Sequence, residues 1–217
     1  MEQTIDYKGY KIEVSYDCDP LNPREEFDNL GTIAYKHSRY TIGEEEISDP
    51  IDWLLNKLDK KMASTMGYDN ETLHSLENLF FKQFGGFKLY LMDHSGLTLS
   101  TSPFGGIYGH FDSGQVGYIY CSLPDAIENW NLPKNSTWST LVDNWFNKGQ
   151  KITLLDIAKR ILQCEIDDQA AYLSGEVYTV SIIDPDTDEA SDRCGGYFGD
   201  PEKSGAIEEA KAQIDRY

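Results

Sequence analysis

Basic residues are scarce in this chain: 19 Lys and Arg stand against 37 Asp and Glu over 217 residues, a formal net charge of −18. A surface this negative repels bare nucleic acid and anionic membrane and attracts basic partners. Basic patches interleaved with aromatics are missing, which argues against direct nucleic-acid binding. Long apolar runs are missing too. The longest are a few residues, far short of the ~20 that span a bilayer. The opening MEQTIDYKGYKIEV has no basic stretch followed by an apolar one, so no signal peptide is expected. The cysteines (Cys18, Cys121, Cys164, Cys194) form no C-x-x-C pair. The expectation is a cytoplasmic protein with reduced thiols, in which the sequons at Asn70 and Asn135 have no role.

Catalytic signatures are also absent. Neither Gly105-Gly106 nor Gly195-Gly196 belongs to a phosphate-cradling loop, so a nucleotide cofactor is not expected. Ser95 and Ser113 lie outside any G-x-S-x-G elbow, and Cys121, ending an apolar run, reads as a small buried hydrophobe. Asp184-Pro185-Asp186-Thr187-Asp188 starts like a calcium loop. It then places Glu189 where Gly is needed and Gly195 where Glu is needed, so a solvated turn is the better reading. The sequence points away from an enzyme.

What is present is a folded chain, 40% apolar and 12% aromatic with fourteen Tyr. A disordered acidic chain would lack those aromatics. Residues 8–16 alternate Tyr10, Ile12, Val14 and Tyr16 against polar neighbours, the period of a half-buried strand, and 31–36 read as another. Between them, two prolines and clustered acids predict a loop. Asp49-Pro50 has the chemistry of a helix start, followed by Ile51, Leu54, Leu55, Leu58 and Met62. A second helix is predicted over about 70–84, with Leu73, Leu76, Leu79 and Phe80 inward and Gly85-Gly86 ending it. Residues 87–92 and 97–101 predict a hairpin, and 116–121 a central strand after the glycine-rich 103–115. Ser122 with Asp125 predicts a capping box. Residues 137–147 read as a helix bearing Trp138, Leu141, Trp145 and Phe146. Thr153 caps a long helix over 154–173, strands follow at 176–183 and about 192–198, and Asp200-Pro201 starts a last helix. Interleaving without regular alternation predicts an α+β fold with a largely antiparallel mixed sheet and several packed helices. A single domain over 1–217 is expected, with any subdivision near 131–137.

Two candidate sites emerge. Asp93-His94-Ser95-Gly96 and His110-Phe111-Asp112-Ser113-Gly114-Gln115 are polar loops beside predicted sheet. Imidazole and carboxylate groups of this kind suit zinc or another divalent ion. The same residues also suit two plain turns, and no diagnostic ligand spacing decides for metal. The second candidate is the acids themselves. Residues 1–50 carry net −7, 51–150 net −3 and 151–217 net −8, so the charge sits at the two ends. Three groups stand out: Glu44, Glu45, Glu46 and Asp49; Glu165, Asp167 and Asp168; and Asp184, Asp186, Asp188 and Glu189. Solvated loops and helix ends account for each group singly. A negative surface imitating spaced phosphates accounts for the lack of interspersed bases. Glu77, in the near-neutral middle, reads as an indifferent surface position.

Three blocks, Asn22–Thr32 (NPREEFDNLGT), Leu89–Thr101 (LYLMDHSGLTLST) and Asp112–Tyr120 (DSGQVGYIY), together with Tyr172–Tyr178 and Cys194–Asp200, resemble a family of uncharacterised proteins carried by bacteriophages and other mobile elements. The match spans most of the chain. Where members of that family often have Trp, this chain has Phe27 and Phe111, the latter after His110. His37, Asp93, His94 and Asp112 are the positions most typical of the pattern and form the candidate metal set. The resemblance supplies a context of phages and mobile elements and no established activity; joined to the acid excess, it leads to the expectation of a small acidic anti-defence inhibitor, in the bacterial cytoplasm, of a basic nucleic-acid-binding host protein such as a CRISPR effector or restriction enzyme. The alternative is a metal-dependent enzyme or metal-stabilised module built on the His37/Asp93/His94/Asp112 set.

Overall fold

The computed structural model describes residues 3–58, 72–94, 96–105, 112–144, 149–187 and 189–216. The fold is α+β, largely antiparallel, and divides into two compact units. One comprises Met1–Phe27, His94–Thr98 and Asp167–Tyr217, and the other Asp28–Asp93 and Leu99–Ile166. The segment 131–137 lies within the second unit.

The first unit is a four-stranded sheet in the order β1-β2-β10-β11, made of β1 (Gln3–Tyr7), β2 (Tyr10–Tyr16), β10 (Val177–Ile183) and β11 (Ala190–Phe198). The strand β1 carries too short an alternating pattern to be read from sequence. It forms because Lys8 and Gly9 both adopt positive φ, 50° and 90°, in the two-residue turn that suits a twisted hairpin. Ile12 and Val14 of β2 and Val180 and Ile182 of β10 point to one face, where Ala206, Ile207, Ala210 and Ile214 of the terminal helix cover them. That helix spans Ala206–Ile214 and does not start at Asp200-Pro201 as its sequence suggests. The Asp200 carboxylate accepts the Glu202 N–H at 3.0 Å and forms only a turn, which Gly205 (φ 86°) separates from the helix.

The second unit holds a five-stranded sheet, β4-β3-β7-β5-β6. Its strands are β3 (Thr32–Tyr35), β4 (Glu45–Glu46), β5 (Gly85–Asp93), β6 (Leu97–Ser100) and β7 (Ser113–Cys121). The three strand-like runs 87–92, 97–101 and 116–121 therefore share one sheet, with β7 central. On one face Ala34, Tyr118 and Tyr120 meet Leu54 of α2 (Pro50–Lys57) and Leu76 and Phe80 of α3 (Thr72–Gln83). Trp53 lies flat against Tyr118, ring centroids 5.4 Å apart, and Phe80 packs edge-on to Tyr120 at 5.3 Å. Asp49 caps α2 as its sequence predicts, its carboxylate accepting from the N–H groups of Ile51 and Asp52. Ser122 and Asp125 form the predicted capping box at α4 (Leu123–Asn129). Against the other face, Ile119 and Leu162 of α5 (Leu154–Ser174) crowd position 31, where an added Cβ would stand 2.3 Å from the Leu162 side chain.

Several expectations are corrected. A four-residue helix, α1 (Pro23–Glu26), capped by Asn22, sits inside the predicted loop. Gly85-Gly86 open β5 rather than merely ending α3, because Gly86 lies against the backbone of β7 where a side chain cannot fit. Leu73 is exposed. Of the helix expected over 137–147, residues 141–143 form β8, which pairs with β9 (Lys151–Thr153). Val142 is buried while Leu141 is exposed, an alternation that cross-strand pairing imposes over the helical pattern. Trp145, Phe146 and Met62 lie outside the described residues.

A methyl group on Gly117 would stand 2.0 Å from the Ala34 carbonyl oxygen, whereas one on Gly114 meets nothing within 4 Å. Gly117→Ala is expected to destabilise by about 3 kcal/mol, as overpacking against backbone does. Gly114→Ala should change stability by less than about 0.5 kcal/mol. Chemical denaturation of both variants checks the difference.

Candidate functional site

The proposed metal residues are placed as turn and pairing groups. The imidazole of His37 accepts the backbone N–H groups of Arg39 (3.3 Å) and Tyr40 (3.1 Å) at Nδ1 and stacks on the Tyr40 ring. Asp93, at the end of β5, takes the Arg39 guanidinium at 2.5 Å and the Tyr40 hydroxyl at 3.3 Å. His37 and Asp93 are therefore joined through one loop, with a cation already on the carboxylate. Asp112 contributes its carbonyl to the Asp93 N–H at 2.9 Å, and His94 donates its backbone N–H to Gly96 in the hairpin turn. Among the described residues no three His, Cys, Asp or Glu side chains are grouped to hold an ion. His110 lies outside the described residues.

The acidic groups divide by use. Glu44 accepts the Ile33 N–H at 2.7 Å, and Glu165 accepts those of Leu30 and Gly31, so both act as acceptors for loop and strand backbone. Glu45 bonds Lys57 (3.2 Å) and the Tyr120 hydroxyl (3.1 Å), while Lys57 donates to the same hydroxyl at 2.8 Å. Burial raises the Glu45 pKa, but the hydrogen bond and charge of Lys57 and the Tyr120 hydroxyl outweigh it and hold the carboxyl below its usual range. Asp49 is the cap of α2, and Asp184 orders the β10–β11 turn by accepting from Asp186 and Thr187. Glu46, Asp167, Asp186 and Glu189 are exposed, and Asp168 is half-buried. Asp188 lies outside the described residues.

The fold concentrates charge where the sequence had split it. The first unit contains 20 Asp and Glu and 7 Lys and Arg, net −13, leaving −5 for the larger second unit. Of the 18 of those acids that lie among the described residues, fifteen are exposed. Asp6 and Glu13 lie on the sheet face away from the terminal helix, Asp186 and Glu189 at the β10–β11 turn, and Asp192 on β11. Glu208 and Glu209 occupy the first turn of the helix, α6, where its dipole favours them. Exposed pairs such as Lys8–Asp215 and Lys203–Asp200 offset part of this charge, and they are screened.

A second polar constellation gives no signal in the sequence. Glu77 of α3 is 2% exposed, not a surface position. One carboxylate oxygen accepts from Gln115 (2.8 Å) and Tyr118 (3.1 Å), and the other pairs with Lys88. Burial, the Glu77 charge and the hydrogen bond to it raise the Tyr118 phenol pKa, which keeps it a donor. The four groups satisfy one another, so the network reads as a core fastener and not as a reactive centre. Only tertiary packing could reveal it, because Glu77 falls on the inward face of α3 one residue from Leu76.

Comparison with protein-family models, curated proteins and solved structures finds no match to this chain.

Glu77→Ala strands Lys88, Gln115 and Tyr118 without their acceptor and should cost about 3–5 kcal/mol, the usual loss when one partner of a buried pair is removed. Urea unfolding with unchanged far-ultraviolet circular dichroism checks this. Burial, then the charges of Asp125 and Glu165, push the Cys121 thiol up to about 12, while Cys18, Cys164 and Cys194 are exposed. At pH 8 a thiol-titrating disulfide reagent should therefore modify the three exposed cysteines of the folded protein, and Cys121 only after denaturation.

Proposed function

We propose that this protein is an acidic anti-defence inhibitor from a phage or other mobile element, active in the bacterial host cytoplasm. It binds a basic nucleic-acid-binding host protein, such as a CRISPR effector or restriction enzyme, and occupies the surface meant for nucleic acid. The observation that carries this reading is the net −13 of the first unit, whose exposed carboxylates have few bases among them. Spaced carboxylates present a basic groove with the charge pattern of phosphates, and such complementarity raises association rates by about 10 to 1,000-fold at low salt. The resemblance to phage-borne proteins supplies the host context. The contacting set comprises Asp186, Glu189 and Asp192 at the turn and edge, with Glu208 and Glu209 on the helix. Glu44, Glu45, Asp49 and Glu165 act instead within their own unit.

The test is capture of a partner from host lysate, followed by kinetics on the purified pair. Asp186→Lys with Glu189→Lys should slow association by about tenfold or more at low salt while leaving the melting temperature unchanged. Glu128→Lys, an exposed change on α4, should do little. The partner's own nucleic acid should compete, and binding should weaken as salt rises, since the screening length is about 8 Å at physiological ionic strength. Binding indifferent to salt, or equal inhibition by every variant, would overturn the reading.

A further inference from the structure

Strand β11 pairs with β10 on one side, and no strand of the described residues pairs on its other side. Residues 190–196 are exposed throughout. An open edge of this kind is a template for another chain and is normally blunted. Here the blunting is partial. The Asp192 carboxylate accepts the Arg193 N–H at 2.8 Å, standing in for the carbonyl that a further strand would supply. Past Cys194 a bulge at Gly195-Gly196 turns the strand, with the Gly196 N–H taken by Asp17 at 3.0 Å. Residues 190–194 precede this bulge and hold a second irregularity at Ser191, between Ala190 opposite Ile183 and Asp192 opposite Ile182.

A small groove of about 50 Å³ lies beside this segment, between β11 and α6. Val180, Ile182 and Ala210 make its apolar floor, Asp192 and Glu209 stand on opposite sides, and Arg193 is the one cation among its lining residues. The Tyr197 hydroxyl donates to Glu209 at 3.0 Å and holds that carboxylate at the groove. Side chains alternate along a strand, so a segment added to β11 would turn every second side chain over the groove. A cationic side chain there meets Asp192 or Glu209, and an apolar one meets the floor.

We propose that the β11 edge and its groove bind an extended basic segment of the partner protein as an added strand. Main-chain hydrogen bonds would hold the segment, and groove-facing arginine or lysine flanking an apolar residue would select it. This inference rests on the acidic-inhibitor reading and names how its partner is gripped. Its occupant follows from charge: two carboxylates against one arginine line an apolar floor, within a unit of net −13.

The test uses the full chain and a labelled peptide, Arg-Ser-Val-Ser-Arg-Ser, in fluorescence anisotropy. A second peptide, Arg-Pro-Val-Pro-Arg-Pro, has the same charges but no strand-forming N–H at alternate positions. The first should bind at least about tenfold tighter than the second. Asp192→Lys and Glu209→Lys should each weaken the first peptide about tenfold, and Arg193→Pro should abolish the preference between peptides. Amide chemical-shift changes should centre on 190–194. Equal affinity for the two peptides, or shifts confined elsewhere, would overturn the inference. If edge variants lose the peptide preference yet still capture the lysate partner with the same salt dependence, the edge proposal fails and the acidic-inhibitor reading stands. If salt dependence of partner capture is missing in the parent protein, that reading fails by itself.

Discussion

The antiparallel pairing of β2 with β10, from Tyr16 opposite Tyr178 to Lys11 opposite Ile183, joins the two ends of the chain. Everything specific to this molecule's surface depends on it. The pairing closes a loop of most of the chain's length, although closure entropy rises only about 0.6 kcal/mol per doubling of length. It also brings together two acidic segments that repel each other. The opposing gain comes from Ile12, Val14, Val180 and Ile182, which are shielded by the apolar stripe of α6. Burying side chains of this size contributes about 1.5–3 kcal/mol each. Core burial therefore holds in place a charge density that electrostatics alone would disperse.

Carboxylates in this protein do two kinds of work. In the second unit Glu44 and Glu165 accept backbone N–H groups, Asp49 caps a helix, Glu45 joins Lys57 and Tyr120, and Glu77 gathers three donors beneath the sheet. An ionised acceptor forms hydrogen bonds about twice as strong as a neutral one, which suits these tasks. In the first unit most carboxylates face water and act through their field. A raw charge count merges these roles, and only hydrogen-bond partners separate them.

The same distinction shapes the proposed mode of action. A diffuse negative surface brings a basic partner close quickly but discriminates poorly among basic proteins. Directional contacts, such as main-chain bonds along an open strand and a groove with fixed carboxylates, supply selectivity that net charge lacks. The partial blunting of β11 by Asp192 fits both needs. It satisfies the exposed N–H of Arg193 when the edge stands alone, and it is a group that an incoming cation can draw away.

Local chemistry alone determined much of this protein. Asp49-Pro50, the Ser122–Asp125 box and Thr153 started their helices as read, and Gly175 (φ 75°) ended the longest one, because caps and positive φ act within a few residues. The strand runs read over 8–16, 87–92 and 116–121 were legible because alternation or continuous apolarity marks a sheet, although Lys8 and Gly9 form the hairpin turn and the first of these strands begins at Tyr10. Tertiary structure decided the rest. Leu141–Asp143 became a strand because Lys151–Thr153 pairs with it, and Asp200-Pro201 stopped at a turn because Gly205 intervenes. Glu77 became a core group because α3 turns it toward Lys88, Gln115 and Tyr118, residues that are distant in sequence. His37, Asp93, His94 and Asp112 looked alike as ligands in the sequence, but in the fold His37 and Asp93 both bond Arg39 and Tyr40, while His94 and Asp112 enter hydrogen bonds of the turn and strand through their backbone. Composition set how negative the chain is; the pairing of strands 160 and more residues apart decided where that charge would stand.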